Sequence, residues 1–310
     1  MKRISTVIVA CGLLLSTGCG EEYDAVIGVS VMTFDNPFFK DLGGAIEREA
    51  AKHNYKVIMC DGAGDPVKQS GQVDDFITKQ VDAIILCPCD CKAVGATIAK
   101  ANKAGIPVFT ADLTSLSDQG EVTCHVATDN LDGGRKAAEA MIELLGGSGK
   151  VAVLDFKRAE SCELRMDGFN EVISKATGIE VLKPLPGGGD RKKSADAAAT
   201  ILETHRDLDA FFCVNDPSAM GAVNAIERAK KEDQVRVVGF DAQAFAREAV
   251  REGRLYATIV QYPKEIGRLS ADAVHRHLIG EEVEPEILIP VKTYSKATAD
   301  AIDAELKGQE

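Results

Sequence analysis

The chain has 310 residues with 36 Lys and Arg against 48 Asp and Glu, a formal net charge of −12 and 45% hydrophobic residues. That length is too great for one ordinary domain and comfortable for two with sizeable cores. The acidic balance argues against a nucleic-acid partner, which basic patches would have to hold.

The N-terminus sets the compartment. Lys2 and Arg3 precede an apolar run from Ile4 to Leu15, and Ser16-Thr17-Gly18 lead into Cys19, which reads as a signal peptide over 1–18. The run falls short of the ~20 apolar residues that a permanent membrane helix needs. Cys directly after small residues resembles a bacterial lipoprotein signal, so residues 19–24 are expected as a tether lipidated at Cys19, the sole membrane attachment of a protein exported to the periplasm or cell envelope. Loss of 1–18 removes two positive charges and no acid, taking the net charge from −12 to −14.

From there short apolar runs alternate with helical periods. Strands are expected at Ala25–Met32, Lys56–Cys60, Ala83–Cys87, Val108–Ala111 and Glu121–Ala127, with helices at Phe38–His53, Pro66–Lys79 and Lys92–Ala104 between them. The second half repeats the scheme with helices at Leu131–Leu145, Cys162–Ala176, Arg191–His205, Ser218–Ala229, Ala242–Glu252, Pro263–Leu278 and Thr298–Leu306. Its strands are Lys150–Phe156, Glu180–Leu185, Ala210–Val214, Val235–Phe240, Leu255–Gln261 and Glu286–Val291. The βαβ pattern predicts two doubly wound parallel-sheet lobes of about 130 residues each.

Seven cysteines remain after the signal and Cys19: Cys60, Cys87, Cys89, Cys91, Cys124, Cys162 and Cys213. The trio in Leu86-Cys87-Pro88-Cys89-Asp90-Cys91 is spaced i, i+2, i+4, about 7 Å apart in extended chain, which is poor for a metal. An odd number cannot all pair within one chain; a disulfide such as Cys60 with one of the trio stands beside the alternative of small buried hydrophobes. His275 and His277, two apart on a helix, point their rings away from each other and are expected at the surface. Gly146-Gly147-Ser148-Gly149-Lys150 lacks the hydroxyl residue a phosphate loop needs after Lys, so it and Gly187-Gly188-Gly189 are read as helix–strand connections. No metal or cofactor is expected.

In open α/β sheets ligands bind beyond the carboxyl ends of the strands. The first lobe offers Asn36, Phe38 and Phe39 there, with Pro37 placing Asn36 as the cap of the first helix, and also Asp61, Asp90 and Asp112. The second offers Arg165, Asn215-Asp216, Asp241 and Gln261. Any single Asp here is most simply a helix cap, and either Phe a core plug. Together, carboxylates that accept, an Arg that donates in a fork, amides that do both and two rings suit a small polyhydroxylated ligand.

These residues carry a resemblance. Asp35-Asn36-Pro37-Phe38-Phe39, Asp112, Thr128-Asp129-Asn130 with Gly133-Gly134, Arg165 ahead of Gly168-Phe169, Asn215-Asp216, Val238-Gly239-Phe240-Asp241 and Gln261 are similar, in order, to bacterial periplasmic sugar-binding proteins of the ribose-binding type. The resemblance spans about Ala25 to Val291. It implies a three-segment hinge near Ala127-Thr128, Gln261-Tyr262 and Ile289-Pro290, with an N-terminal lobe over 25–127 and 262–289 and a C-terminal lobe over 128–261 and 290–310. It also implies a monomer that closes on a sugar or polyol held by Asn36, Phe38, Phe39, Asp112, Arg165, Asn215, Asp241 and Gln261, and that serves the membrane subunits of an ABC importer or a chemoreceptor.

Three positions depart from the ribose pattern and are further candidate contacts. Met32 stands where that pattern has Ser, Leu113 where it has Arg, and Gly189 where it has a stacking Phe. One donor fork and one ring are missing, which points away from ribose itself and, through the room left at Gly189, toward a larger or more apolar substituent. A glycoside-active enzyme built on Asp112 and Asp241 is a rival. Against it, a nearby Arg165 is expected to keep both carboxylates ionised. A sensor subunit for a membrane kinase would share the fold and pocket, and a structural surface lipoprotein is a third alternative.

Overall fold

The computed structural model describes residues 22–157 and 159–308; the expected signal peptide and residues 19–21 of the tether, Cys19 included, lie outside them. In chain order the elements are β1 Ala25–Val31, α1 Pro37–Lys52, β2 Tyr55–Asp61, α2 Pro66–Thr78, β3 Ala83–Leu86, α3 Gly95–Lys103, β4 Val108–Ala111 and β5 Cys124–Thr128. They continue with α4 Asn130–Leu145, β6 Ser148–Asp155, α5 Glu160–Ile173, β7 Gly178–Val181, β8 Leu185–Pro186, α6 Arg191–Thr204, β9 Ala210–Cys213 and α7 Asp216–Ala229. The last are β10 Arg236–Asp241, α8 Ala244–Glu252, β11 Ala257–Val260, α9 Pro263–Leu278, β12 Glu286–Ile289, β13 Lys292–Ser295 and α10 Ala299–Lys307.

The strands form two sheets, ordered β12-β5-β4-β3-β1-β2 and β13-β11-β10-β9-β6-β7, with β8 beside β6. Central strands such as β1, β3, β4 and β9 are buried almost throughout and mostly apolar, with Ser30 and Thr110 the exceptions, because helices cover both faces, as parallel sheets require. The doubly wound α/β reading therefore holds. Two expected strands do not: Glu180–Leu185 is broken into β7 and β8, both beside β6, and Glu286–Val291 is cut at Pro290, so that β12 extends the first sheet parallel to β5 while β13 joins the second antiparallel to β11. Proline lacks the N–H that a continuing ladder needs. The chain passes from one sheet to the other after β5, after β11 and after β12.

Where helices meet most closely, glycine permits it. A Cβ on Gly134 of α4 would stand 2.1 Å from the Arg165 carbonyl oxygen of α5, and one on Gly168 of α5 would stand 2.0 Å from that of Leu131. The two backbones touch, which fixes the height of Arg165 over the second sheet. In the first lobe α1 and α9 do the same at Gly267, whose Cβ would lie 2.2 Å from the Leu42 carbonyl oxygen.

Several local expectations change. Gly187 to Gly189 join β8 to α6, a strand-to-helix connection. No disulfide joins the described cysteines, and all but the half-buried Cys60 are buried. His275 is half-buried, because α9 lies against the end of α1 and its ring stacks on His53 with centroids 3.6 Å apart.

Candidate functional site

The loop after β1 sets the first wall. Asn36 caps α1, its Oδ1 accepting from the Phe38 backbone N–H at 3.0 Å, and Pro37 opens the helix. Phe38 and Phe39 follow in the first turn, each 4% exposed and set edge to face with centroids 5.2 Å apart. They are at once part of the apolar core of the first lobe and lining of the cleft.

Across the cleft, Arg165 reaches the same space from α5. Its Nε donates to Asn130 Oδ1 at 2.8 Å, its Nη1 donates to the Val214 carbonyl at 2.7 Å, and the guanidinium lies 3.8 Å from the centroid of the Phe240 ring. Nη1 also stands 3.5 Å from Asp241 Oδ1. Asp241 accepts from Gln261 Nε2 at 2.5 Å, and Gln261 Oε1 accepts from the Thr128 hydroxyl at 2.7 Å. Gln261 thereby ties two of the inter-sheet crossings to the cleft. Asn215 caps α7 through Ser218 N–H and donates from Nδ2 to the Gly189 carbonyl at 3.0 Å.

The structure brings all eight expected residues, Asn36, Phe38, Phe39, Asp112, Arg165, Asn215, Asp241 and Gln261, around one cavity of about 60 Å³ between the lobes, with Met32 and Leu113 also in its lining. Three further strand-end acids lie elsewhere and serve their loops. Asp61 Oδ1 accepts from the N–H groups of Phe34 and Ala63, and Asp90 Oδ1 from those of Lys92 and Ala93. Buried Asp216 accepts from the Thr258 hydroxyl and the Gln243 N–H, bracing the turn after β10.

That turn and the one after β4 are strained. Asp112, Asp241 and Ala242 have positive φ, at 66°, 116° and 53°, in a region that costs non-glycine residues about 1–3 kcal/mol each and is concentrated at functional sites. Asp112 Oδ1 is buried with no hydrogen-bond partner among the described residues. Buried acceptors in folded proteins are nearly always satisfied, so the atom faces an unfilled role.

Burial raises the Asp112 carboxyl from 3.8 to about 7, with Arg165 opposing the shift and Asp241 adding to it. Asp241 is also raised, by burial first, against Arg165, Gln261 and Gln243. Arg165 therefore does not hold both carboxylates in their ordinary range: desolvation outweighs one cation whose Nε and Nη1 also serve Asn130 and Val214. Glu160, at the start of α5, is carried to about 7 for the same reason.

Two lining or bridging residues escaped sequence reasoning. Phe156 follows β6 directly and lines the cavity from the second lobe. A Cβ on Gly189 would come within 3.2 Å of the Phe156 ring, so the space expected at Gly189 is filled by an aromatic from the neighbouring loop. Phe156 obeys the same strand-end rule as Phe38 and could have been found by it. Gln243 donates to Asn36 Oδ1 at 3.0 Å across the cleft and to Asp241 Oδ2 at 3.2 Å. It also lines an adjoining hollow of about 290 Å³ toward Arg247 and Tyr262.

Residues 27–282 match the periplasmic binding protein domain. The ribose import binding protein of Bacillus subtilis (strain 168) is 34% identical over 306 residues, covering 94% of this chain and 98% of the relative. Among solved structures, an ABC transporter solute binding protein from Bacillus halodurans C-125 with bound myo-inositol superposes with a TM-score of 0.85 at 30% identity, covering 92% of this chain and 99% of the other. One from Agrobacterium vitis bound with alpha-D-tagatopyranose gives 0.86 at 27% identity, covering 91% and 98%.

Proposed function

The chain belongs to the periplasmic binding protein domain family, and we propose that it is an exported substrate-binding protein that captures a monosaccharide or sugar alcohol between its lobes and delivers it to an ABC importer. The observation that carries the ligand class is the buried Asp112 Oδ1, without a partner among the described residues, in a cavity whose other polar members come from both lobes. A carboxylate accepts two neighbouring hydroxyls at once, and Arg165, Asn36 and Asn215 supply donors around it. Phe38, Phe39 and Phe156 cover the C–H faces.

Mechanistically, a ligand gripped by Asn36 and Asp112 on one side and Arg165, Asn215 and Asp241 on the other favours the closed arrangement by its contacts to both lobes. The lobes are 25–127 with 262–289 and 128–261 with 290–310, turning on the three crossings. The importer is preferred to a sensor partner because the Bacillus subtilis relative bears an import function in its name. The proposal includes a monomer held to the membrane through lipid on Cys19. Incorporation of radiolabelled palmitate into the wild type and its loss in Cys19→Ala test that part.

Binding is tested by thermal shift over pentoses, hexoses and polyols, followed by calorimetry. At least one is expected to raise the melting temperature and bind one to one. Chromogenic glycosides are expected to remain intact, and their hydrolysis would restore the enzyme alternative. Binding of an amino acid with no response to any sugar would overturn the proposal.

A further inference from the structure

The cavity is divided chemically. Met32 and Leu113 from the first lobe and Phe156, Ala159 and Cys162 from the second line it, and all five belong to or pack against one apolar cluster that spans the cleft. At the centre of this side the chain presents the Met32 thioether and the Leu113 isobutyl group.

Much of the polar side is already committed within the protein. Asn36 Oδ1 accepts from Phe38 and Gln243, Asn215 Nδ2 donates to Gly189, Gln261 is held by Thr128 and Asp241, and Arg165 uses Nε and Nη1 on Asn130 and Val214. Asp112 Oδ1 is the buried lining atom left without a partner among the described residues, and Ser161 adds a hydroxyl to the second-lobe side. A ligand hydroxyl directed at Met32, Leu113 and Phe156 would face side chains that carry no nitrogen or oxygen to pair with it.

We infer that the ligand is a deoxygenated monosaccharide, carrying a methyl or methylene group where a fully hydroxylated sugar carries an alcohol. This rests on the sugar-binding reading above. The Asp112 edge takes the remaining vicinal hydroxyls, and the deoxy carbon packs among Met32, Leu113 and Phe156. An apolar pocket discriminates against an added hydroxyl by on the order of 10- to 100-fold, whereas the Asp112 edge rejects loss of a hydroxyl more strongly.

The test is calorimetry on the wild-type protein with matched pairs: L-fucose and L-galactose, D-fucose and D-galactose, L-rhamnose and L-mannose, 2-deoxy-D-ribose and D-ribose, 5-deoxy-D-ribose and D-ribose. In at least one pair the deoxy member is expected to bind about tenfold tighter or more. Phe156→Ser and Leu113→Ser should each reduce that preference to under about threefold, because each offers the hydroxyl a partner. Phe156 is half-buried at the cleft, so its variant should keep the wild-type melting temperature within a few degrees. If sugars bind but the hydroxylated member is as tight or tighter in every pair, the inference is overturned while the sugar-binding reading stands. If folded protein binds no sugar of either kind, both fall.

Discussion

Gln243 Nε2 donates to Asn36 Oδ1 at 3.0 Å, so that the cap of the first helix in one lobe is held by a loop of the other. The same amide nitrogen stands 3.2 Å from Asp241 Oδ2, which couples the bridge to the carboxylate network of the second lobe. Gln243 faces the larger hollow and Asn36 the smaller, so the bridge stands between the two parts of the cleft.

Removing this bridge should loosen closure without touching either core. Gln243→Ala is expected to weaken ligand binding by about 1 kcal/mol, the usual net worth of one hydrogen bond, or roughly fivefold. Small-angle scattering of the ligand-free variant should show a larger radius of gyration than the wild type. An unchanged radius and affinity would remove Gln243 from the closing contacts.

Asp112 gives a pH prediction with a definite sign. Its carboxyl is raised to about 7 in the folded protein from an ordinary 3.8, so the stability it contributes is complete below about pH 4 and is lost as pH rises through 7. Asp112→Asn cannot ionise, so its melting temperature relative to wild type should improve more at pH 8 than at pH 5. Ligand that needs the ionised acceptor should bind the wild type more weakly as pH falls from 7 to 5. A flat binding profile across that window would contradict the role given to this group.

Arg165 is expected to matter more than any single amide. In Arg165→Ala the Asp241 carboxylate loses its cation and the Val214 carbonyl its donor, both buried. Binding should fall by at least ~2 kcal/mol, about 30-fold, since unpaired buried partners remain. Unaltered affinity by calorimetry would count against its place in the site.

Gly134→Ala probes how the scaffold places that guanidinium. The new methyl would meet the Arg165 carbonyl at 2.1 Å, forcing α4 and α5 apart at a cost of about 1–3 kcal/mol or more. Both the melting temperature and ligand affinity should drop together, with affinity partly kept if Arg165 is positioned by its hydrogen bonds alone.

Much of this was legible in the chain because parallel sheets put every βα loop at one edge. Asn36 as a cap follows from Asn-Pro before a helical period, and the polar residues after β4, β9, β10 and β11 collect at the cleft by topology alone. What escaped depended on contacts between loops. Asp61 and Asp90 sit at strand ends like Asp112, yet their loops turn back to satisfy them locally. Gly189 read as an empty place because Phe156, which fills it, comes from a strand some thirty residues earlier. β13 was hidden because Lys292-Thr293-Tyr294-Ser295 follows the Pro290 break with no apolar run of its own. The carboxylate shifts were misjudged because an Arg in sequence does not reveal how many of its donors are already committed.

The central claim is that Asp241 and its partners hold a sugar between the lobes. Titration calorimetry of the wild type and Asp241→Ala with the sugars that raise the melting temperature tests it most directly. One-to-one binding in the wild type, abolished in an Asp241→Ala protein that still melts cooperatively, is the predicted result. Equal binding by both proteins, or no sugar binding by the folded wild type, would contradict it.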